Sequence, residues 1–428
     1  MNSLKEYPER REIADELHAR PYAHMRSPVR ITHLVCLASE RAKHHAERNV
    51  SALCERFNYP GPAAGAAHFI ADFGSFRLKW ERHTEFESFT FIREGQFDQP
   101  FEGAAIDLVP SDWMETLPGD ILVAANVSVE DVDKPERSIG EIADIFAGNT
   151  VTGSLVLDRK ARFWTDHKIQ QDGFLRILVR NDRLDQRGLG RLVHRLLEIE
   201  TYRMLAMLAF PLAKKSIPQL AIAEKTLSGI VGRLPQLKNI EDERESLDQL
   251  MALAAESETI SANTAYRFSA ARAYHGLVEQ RVRELREERL DRIQVSGNFL
   301  YRRLTPAMST CENMSRRQET LASRIARASN LLRTRVDVAR QEQNQELLVS
   351  MDKRAHLQLR LQETVEGLSV VAISYYLMGL VSYLAKGIKG LGVPVDTDVV
   401  VSIAFPVVLG GVWFGVRRIR RALNAREG

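Results

Sequence analysis

Cysteine is scarce: Cys36, Cys54 and Cys311 are the only three in 428 residues, far apart and never in a Cys-x-x-Cys pair. That spacing fits a reducing compartment and offers no zinc site, so the three read as small buried hydrophobes. A His-Glu-x-x-His pattern and a strand-linked phosphate loop are also missing. Net charge is small, +3 and of mixed sign, which gives a nucleic-acid role little electrostatic support. Met1 to Arg30 is charged throughout and lacks the apolar core of a signal peptide. No nucleophile, base and orienter can be assembled from the chain, so no enzyme is expected and no cofactor is identifiable.

Long apolar runs are what the sequence does have. Gly367 to Ala385 and Val399 to Val416 contain no Asp, Glu, Lys, Arg or His. Each is roughly 18 to 19 residues, long enough to cross a bilayer core as a helix. Between them lie only Lys386 to Asp398, with Gly387, Gly390, Gly392 and Pro394, which suits a tight turn. The spacing predicts a transmembrane hairpin. A buried hairpin of a soluble protein is the plainer alternative. Arg417, Arg418, Arg420, Arg421 and Arg426 follow the second run, and Lys353, Arg354 and Arg360 precede the first. Both termini are therefore expected on the cytoplasmic side of the inner membrane, with the bulk of the chain cytosolic and the basic tail near anionic lipid.

The remainder reads as an α+β cytosolic domain (1–190), a helical cytosolic region (191–305), a long stalk helix (306–368), the hairpin (369–416) and a basic tail (417–428). Strand patterns fall at Val29–Leu37, Ser75–Arg82, Glu87–Arg93, Ile121–Val129, Ser154–Leu157 and Phe174–Val179. Their hairpin-like pairs favour a mixed or antiparallel sheet. Ser39 to Phe57 has helical spacing. After Gly188 and Gly190 strands are expected to stop, and Arg191 to Phe210 reads as an apolar helix ending at Pro211. The Arg- and Glu-rich run up to Tyr301 reads as a solvated helix with i to i+4 pairs. From Ala307 to Ala385 nothing need break a helix, and at 1.5 Å per residue it would be on the order of 120 Å long. Leu347, Met351, Leu361, Val365 and Leu368 recur on one face of it, and the interruption by Arg354 and Gln358 would spoil a dry coiled-coil seam but suits a face bordering water inside a symmetric bundle, or is ordinary core imperfection.

An α/β domain, a stalk helix entering the membrane, a short outer loop, a second span and a basic cluster together resemble the CorA-type family of divalent-cation channels. The local likeness is carried by Leu368-Ser369-Val370-Val371-Ala372-Ile373-Ser374 and by Phe405-Pro406-Val407-Val408-Leu409 followed by Arg417 to Arg421. At the pore mouth, Ala385-Lys386-Gly387-Ile388 stands where that family has its Tyr-Gly-Met-Asn signature. A ring of lysines there would repel a cation, so an anion, another solute or no transport remain open beside magnesium. Glu16-Leu17-His18-Ala19-Arg20-Pro21, Trp80 to Phe86 and Tyr202 to Met207 resemble a bacterial family of membrane-anchored proteins known mainly as a domain of unknown function.

The CorA-type resemblance implies an oligomeric, ligand-gated channel whose lining falls on Ala372, Tyr375, Gly379, Ser382 and Lys386, at steps of three and four. Packing of that small-residue face against Gly410 and Gly411 is the alternative. Asp396 and Asp398 could collect cations in the outer loop, or simply be solvated. His18 with Arg20, and Arg82 and His83 with Glu85, could meet as an anion or nucleotide pocket or donate metal ligands. As surface or hydrogen-bonding groups they need no ligand. The expected partners are the lipid bilayer, further copies of the chain, and an ion or small anionic ligand, with no nucleic acid. A tethered binding or signalling protein without transport is the rival, and a membrane-bound hydrolase using His18, Arg20 and His83 a third class.

Overall fold

The computed structural model describes residues 7–11, 22–37, 45–237, 239–390 and 396–424. His18 and Arg20 lie outside the described residues. Two compact units emerge: Met1–Gln236 with Asp248–Ser329, and Leu237–Leu247 with Asn330–Gly428.

The first unit is built on a nine-stranded mixed sheet. In chain order its strands are β1 (Val29–Leu37), β2 (His68–Asp72), β3 (Arg77–Arg82), β4 (Phe86–Glu94), β5 (Ile121–Asp131), β6 (Thr152–Val156), β7 (Ala161–Ile169), β8 (Leu175–Asn181) and β9 (Glu288–Arg289), in spatial order β2-β3-β4-β1-β5-β8-β7-β6-β9. Two half-sheets follow one plan, a strand, a helix and a three-strand meander. They use α1 (His45–Arg56) in the first half and α3 (Ile139–Ile145) in the second, with the short α2 (Ser111–Met114) between. β1 and β5 join the halves antiparallel, His33 opposite Ala125. The halves differ in direction: β4 runs antiparallel to β1, whereas β8 runs parallel to β5. β1 is buried along nearly its whole length, as a β-branched run between two paired neighbours must be.

One face of the sheet is apolar. Leu34 and Cys36 of β1, Leu78 and Trp80 of β3, and Phe89 and Phe91 of β4 pack with Val50 and Leu53 of α1 and with Trp113 of α2. Further along, Trp164 and Leu178 pack under Ile142 of α3 and under Phe146, which caps that helix. The helix α3 begins in a capping box: Ser138 accepts from the Glu141 backbone and the Glu141 carboxylate accepts from the Ser138 backbone. The opposite face carries His33, Lys79, Glu81, Ser88 and Thr90 and is closed by α4 (Gln186–Met207). Asp185 caps α4 by accepting from the Gly188 backbone at 2.8 Å.

Three further helices complete this unit: α5 (Ala209–Arg233), α6 (Ile240–Leu285) from Asp248 onward, and the first part of α7 (Ser296–Gly390), up to Ser329. Their buried residues recur at steps of three and four, as in Leu220, Ala223, Leu227 and Ile230 or Met308, Cys311, Met314, Gln318 and Leu321. Glu224 and Arg317 tie α5 to α7 with two hydrogen bonds, and Thr264 and Gln318 tie α6 to α7.

Several sequence expectations need correction. Strands do not stop at Gly188, because β9 pairs with β6 through Ser154 and Arg289. β2 and β7 had no clear alternation to announce them. Pro211 does not end a helix but sits in the first turn of α5, where its missing N–H costs no bond. The long helix begins at Ser296, before Pro306, which lies inside it.

The second unit comprises the start of α6, α7 from Asn330, and α8 (Thr397–Asn424). Glu243 and Arg335 pair at 3.2 Å. Two windows, in Ser296–Ile388 and in Thr397–Arg418, are long and apolar enough to cross a membrane, and only 11% and 0% of their residues are buried.

Candidate functional site

A cavity of about 320 Å³ lies between α4 and the polar face of β1, β3 and β4, with Arg281 of α6 at its side. That volume is at the small-metabolite end of ligand sites. Its floor is set by the two-residue period of β3. Leu78 and Trp80 point into the apolar core, so Lys79 and Glu81 point the other way, into the cavity. Both are almost fully buried, at 3% and 4% exposure. Lys79 Nζ lies 2.8 Å from Glu81 Oε1. Ser88 Oγ donates to the other Glu81 oxygen at 3.5 Å, and apart from their mutual contact Lys79 Nζ and Glu81 Oε1 have no hydrogen-bond partner among the described residues. Burial raises the Glu81 carboxyl, but the adjacent ammonium outweighs it and holds the group below the ordinary carboxylate range.

His33 forms the back of the cavity. Its Nδ1 meets Thr90 Oγ1 at 2.8 Å and its Nε2 meets Thr201 Oγ1 at 3.3 Å, joining β1 to β4 and to α4. Burial pushes its pKa down to about 3, so the ring is neutral. On the helical wall, Arg281 donates to both oxygens of Glu198 at 2.7 and 3.1 Å, and Tyr202 Oη donates to the same carboxylate at 3.1 Å. Burial alone would raise Glu198; His194, 3.6 Å away, and Arg281 hold it at about 2. The Tyr202 hydroxyl is pushed up by burial and by Glu198. At the rim, the Tyr22 ring meets His194 edge-on at 5.1 Å. Gly190 lets this rim close down: a Cβ there would collide with the Ala23 carbonyl oxygen.

Of the residues singled out in the sequence, His83 lines this cavity, stacked on Phe86 at 4.2 Å. Arg82 and Glu85 do not. The Arg82 guanidinium faces Glu47 at 3.6 Å, bonds the Ala66 carbonyl and lies over the Trp80 ring. Glu85 is clamped by α6, accepting from Tyr274 Oη at 2.8 Å and from Tyr266, with Arg267 at 3.4 Å. Arg82 ends β3 on the face of Leu78 and Trp80, whereas His83 and Glu85 lie in the turn before β4, and the three side chains do not come together. Among the described residues no group of three or more His, Cys, Asp or Glu is placed to hold a metal.

Lys79, Glu81, His33, His194, Glu198, Tyr202 and Arg281 were not singled out as site residues in the sequence, although Glu81 and Tyr202 lie in the stretches that carry the family resemblance. The available signal was Lys79 and Glu81 alternating with Leu78 and Trp80, which marks a polar strand face but not that helices bury it.

A second buried cluster joins three distant segments. His167 Nδ1 lies 2.9 Å from Glu200 Oε1, and its Nε2 lies 2.9 Å from Ser296 Oγ at the start of α7. Glu200 is also held by Arg203, and the His167 ring stacks on Phe299 at 5.1 Å. The order Ser-His-carboxylate is that of serine hydrolases. Here Ser296 is 2% exposed and the adjoining space is about 10 Å³, room for at most one water. The three groups thus tie the first turn of α7 to β7 and α4. Next to it, Glu287 accepts from the Gly297 backbone at 2.8 Å and borders an apolar pocket of about 470 Å³. Burial raises its pKa to about 7, against the opposing pull of Gly297 and Ser154.

In the second unit Ala372, Tyr375 and Lys386 are exposed and Gly379 and Ser382 half-buried. An added Cβ at Gly379, Gly410 or Gly411 would meet nothing within 4 Å among the described residues, so no close helix contact is made there between them. Asp396 accepts from the Asp398 backbone at 3.2 Å and its carbonyl takes the Val400 N–H, so it starts α8.

These features define a class: a mixed α+β unit holding a small-molecule-sized polar cavity, continued by long helices that include two apolar runs of membrane-spanning length. A family model covers residues 5–423, and the chain belongs to that family, described as a protein of unknown function, DUF3422. A search of curated proteins finds no match.

Proposed function

We propose that this is a multi-pass inner-membrane protein whose cytosolic sheet unit senses a small ligand and whose helices couple that event to an oligomeric, CorA-like path for an ion or small solute. Both termini face the cytoplasm in this reading, as the flanking arginines favour. The observation that carries it is the bareness of the two apolar runs. Leu368 is 70% exposed, Val407 71% and Phe414 63%. At about 1 to 2 kcal/mol for each such side chain removed from water, the runs together favour a bilayer by on the order of tens of kcal/mol. Upstream, Leu347, Met351, Leu361 and Val365 are also exposed, a further apolar face that copies of the chain would cover. Ligand-dependent tilting of α7 would open or close a path beside Tyr375, Gly379 and Ser382, with Asp396 and Asp398 outside its mouth.

Flux through protein reconstituted in liposomes tests this. Conductance to any of Mg²⁺, K⁺, Cl⁻ or phosphate, lost when Gly379 is replaced by Leu, is the expected result. No conductance to any of them, together with full cellular function of a version carrying an unrelated two-helix anchor, would refute transport. That outcome matches a second reading, a tethered ligand-binding or signalling protein. Its specific support is Lys386, a cationic side chain at the end of the first run where a cation path would need oxygen ligands.

A further inference from the structure

We infer that the cavity beneath α4 takes a small zwitterion of the α-amino-acid type, its carboxylate on the Lys79 ammonium and its ammonium on the Glu81 carboxylate. This deepens the sensing half of the proposed function and rests on it. Three observations lead there. First, Lys79 and Glu81 sit side by side on one strand face, almost fully buried and in contact at 2.8 Å, yet apart from that contact without a hydrogen-bond partner for Nζ or Oε1 among the described residues. Ser88 donates to the other Glu81 oxygen, but the remaining Lys79 N–H donors and Glu81 Oε1 lone pairs face the cavity, where a ligand can supply their acceptor and donor. Second, the other ion pair at the cavity is complete. The Arg281 guanidinium is spent on Glu198 and on Glu284, and Glu198 also takes the Tyr202 hydroxyl. Arg281 and Glu198 cancel, which leaves Lys79 and Glu81, with the His83 and His194 rings at the rim, to face the ligand.

A simple anion would satisfy Lys79 and be repelled by Glu81; a simple amine would do the reverse. Only a ligand with both charges a bond or two apart satisfies both. Third, Met25, Phe86, Ile92 and Leu197 also line the space, a lining that suits an apolar side chain on the same ligand. The neutral His33, fixed by Thr90 and Thr201, adds no charge that would tip this balance.

The test is calorimetric titration of the full chain in detergent with L-leucine, 4-methylpentanoate, 3-methylbutylamine and inorganic phosphate. The expected result is saturable binding of leucine, with each one-headed analogue at least about tenfold weaker, as loss of one charged hydrogen bond implies. The paired variant Lys79→Met with Glu81→Leu replaces the ion pair by apolar groups of like size, an exchange that cores tolerate. It is expected to keep the wild-type melting temperature and to lose leucine binding. Phosphate or 4-methylpentanoate binding as tightly as leucine would overturn the inference, as would unchanged leucine binding in the paired variant. So would the absence of saturation by leucine below about 1 mM. Binding is read here without any flux, so a channel that fails to conduct leaves this result standing, and a cavity that fails to bind leaves the flux result standing.

Discussion

Replacing Glu287 by Gln should flatten the pH dependence of the protein's stability between pH 5 and pH 8. In the folded chain Glu287, just before β9, reaches the Gly297 N–H in the first turn of α7 beside an apolar pocket, where burial lifts its pKa from 4.5 to about 7. The folded state therefore holds this proton more tightly than the unfolded state does. Stability contributed by the protonated form is fully present below pH 4.5 and is lost as pH rises to about 7. Integrating between the two values gives a loss of about 2 to 3 kcal/mol from pH 5 to pH 8. Glutamine keeps an oxygen for the Gly297 N–H and cannot ionise, so the variant should lose none of it. Urea unfolding of the full chain in detergent, followed by tryptophan fluorescence, reads this directly, since Trp80 and Trp113 are buried in the first unit's core. Parallel pH slopes for wild type and Glu287→Gln, or a wild type that gains stability as pH rises through this window, would refute the reasoning.

Glu200→Ala should destabilise the first unit by about 3 to 5 kcal/mol in the same unfolding assay, because it leaves the buried His167 ring and the half-buried Arg203 without their carboxylate. The Glu200 pKa of about 2 adds an acid signature: the stability this carboxylate supplies, present above its unfolded value of 4.5, is lost as pH falls through about 2. Gly190→Ala should push the Ala23 segment off α4 and weaken leucine binding, at a stability cost of about 1 to 3 kcal/mol, measured by calorimetry and melting. Topology can be read by cysteine labelling, since Cys36, Cys54 and Cys311 are buried and quiet. Asp398→Cys should react with an impermeant maleimide on cells whose outer membrane alone is opened, and Ser350→Cys only after the inner membrane is lysed.

Where the physics is local, the sequence spoke for itself. Val29–Leu37 reads as a strand because a β-branched apolar run has little else to become, and it is β1 to the residue. The two charge-free runs at the carboxy terminus are apolar by composition alone, and both are helical. Pattern also marked β3 and β4, since Leu78 and Trp80 alternate with Lys79 and Glu81. That alternation fixed which side chains share a face and could not say what would cover it. The answer lay some 110 to 200 residues further along, in α4 and α6, and only the folded chain brings Glu198, Tyr202 and Arg281 opposite Lys79 and His33. The same holds for Ser296, His167 and Glu200, whose meeting depends on β7, α4 and the first turn of α7 arriving at one point. Periodicity along the chain encodes which residues leave water; which of them meet is decided by long-range packing, because burial is what turns a polar strand face into a site.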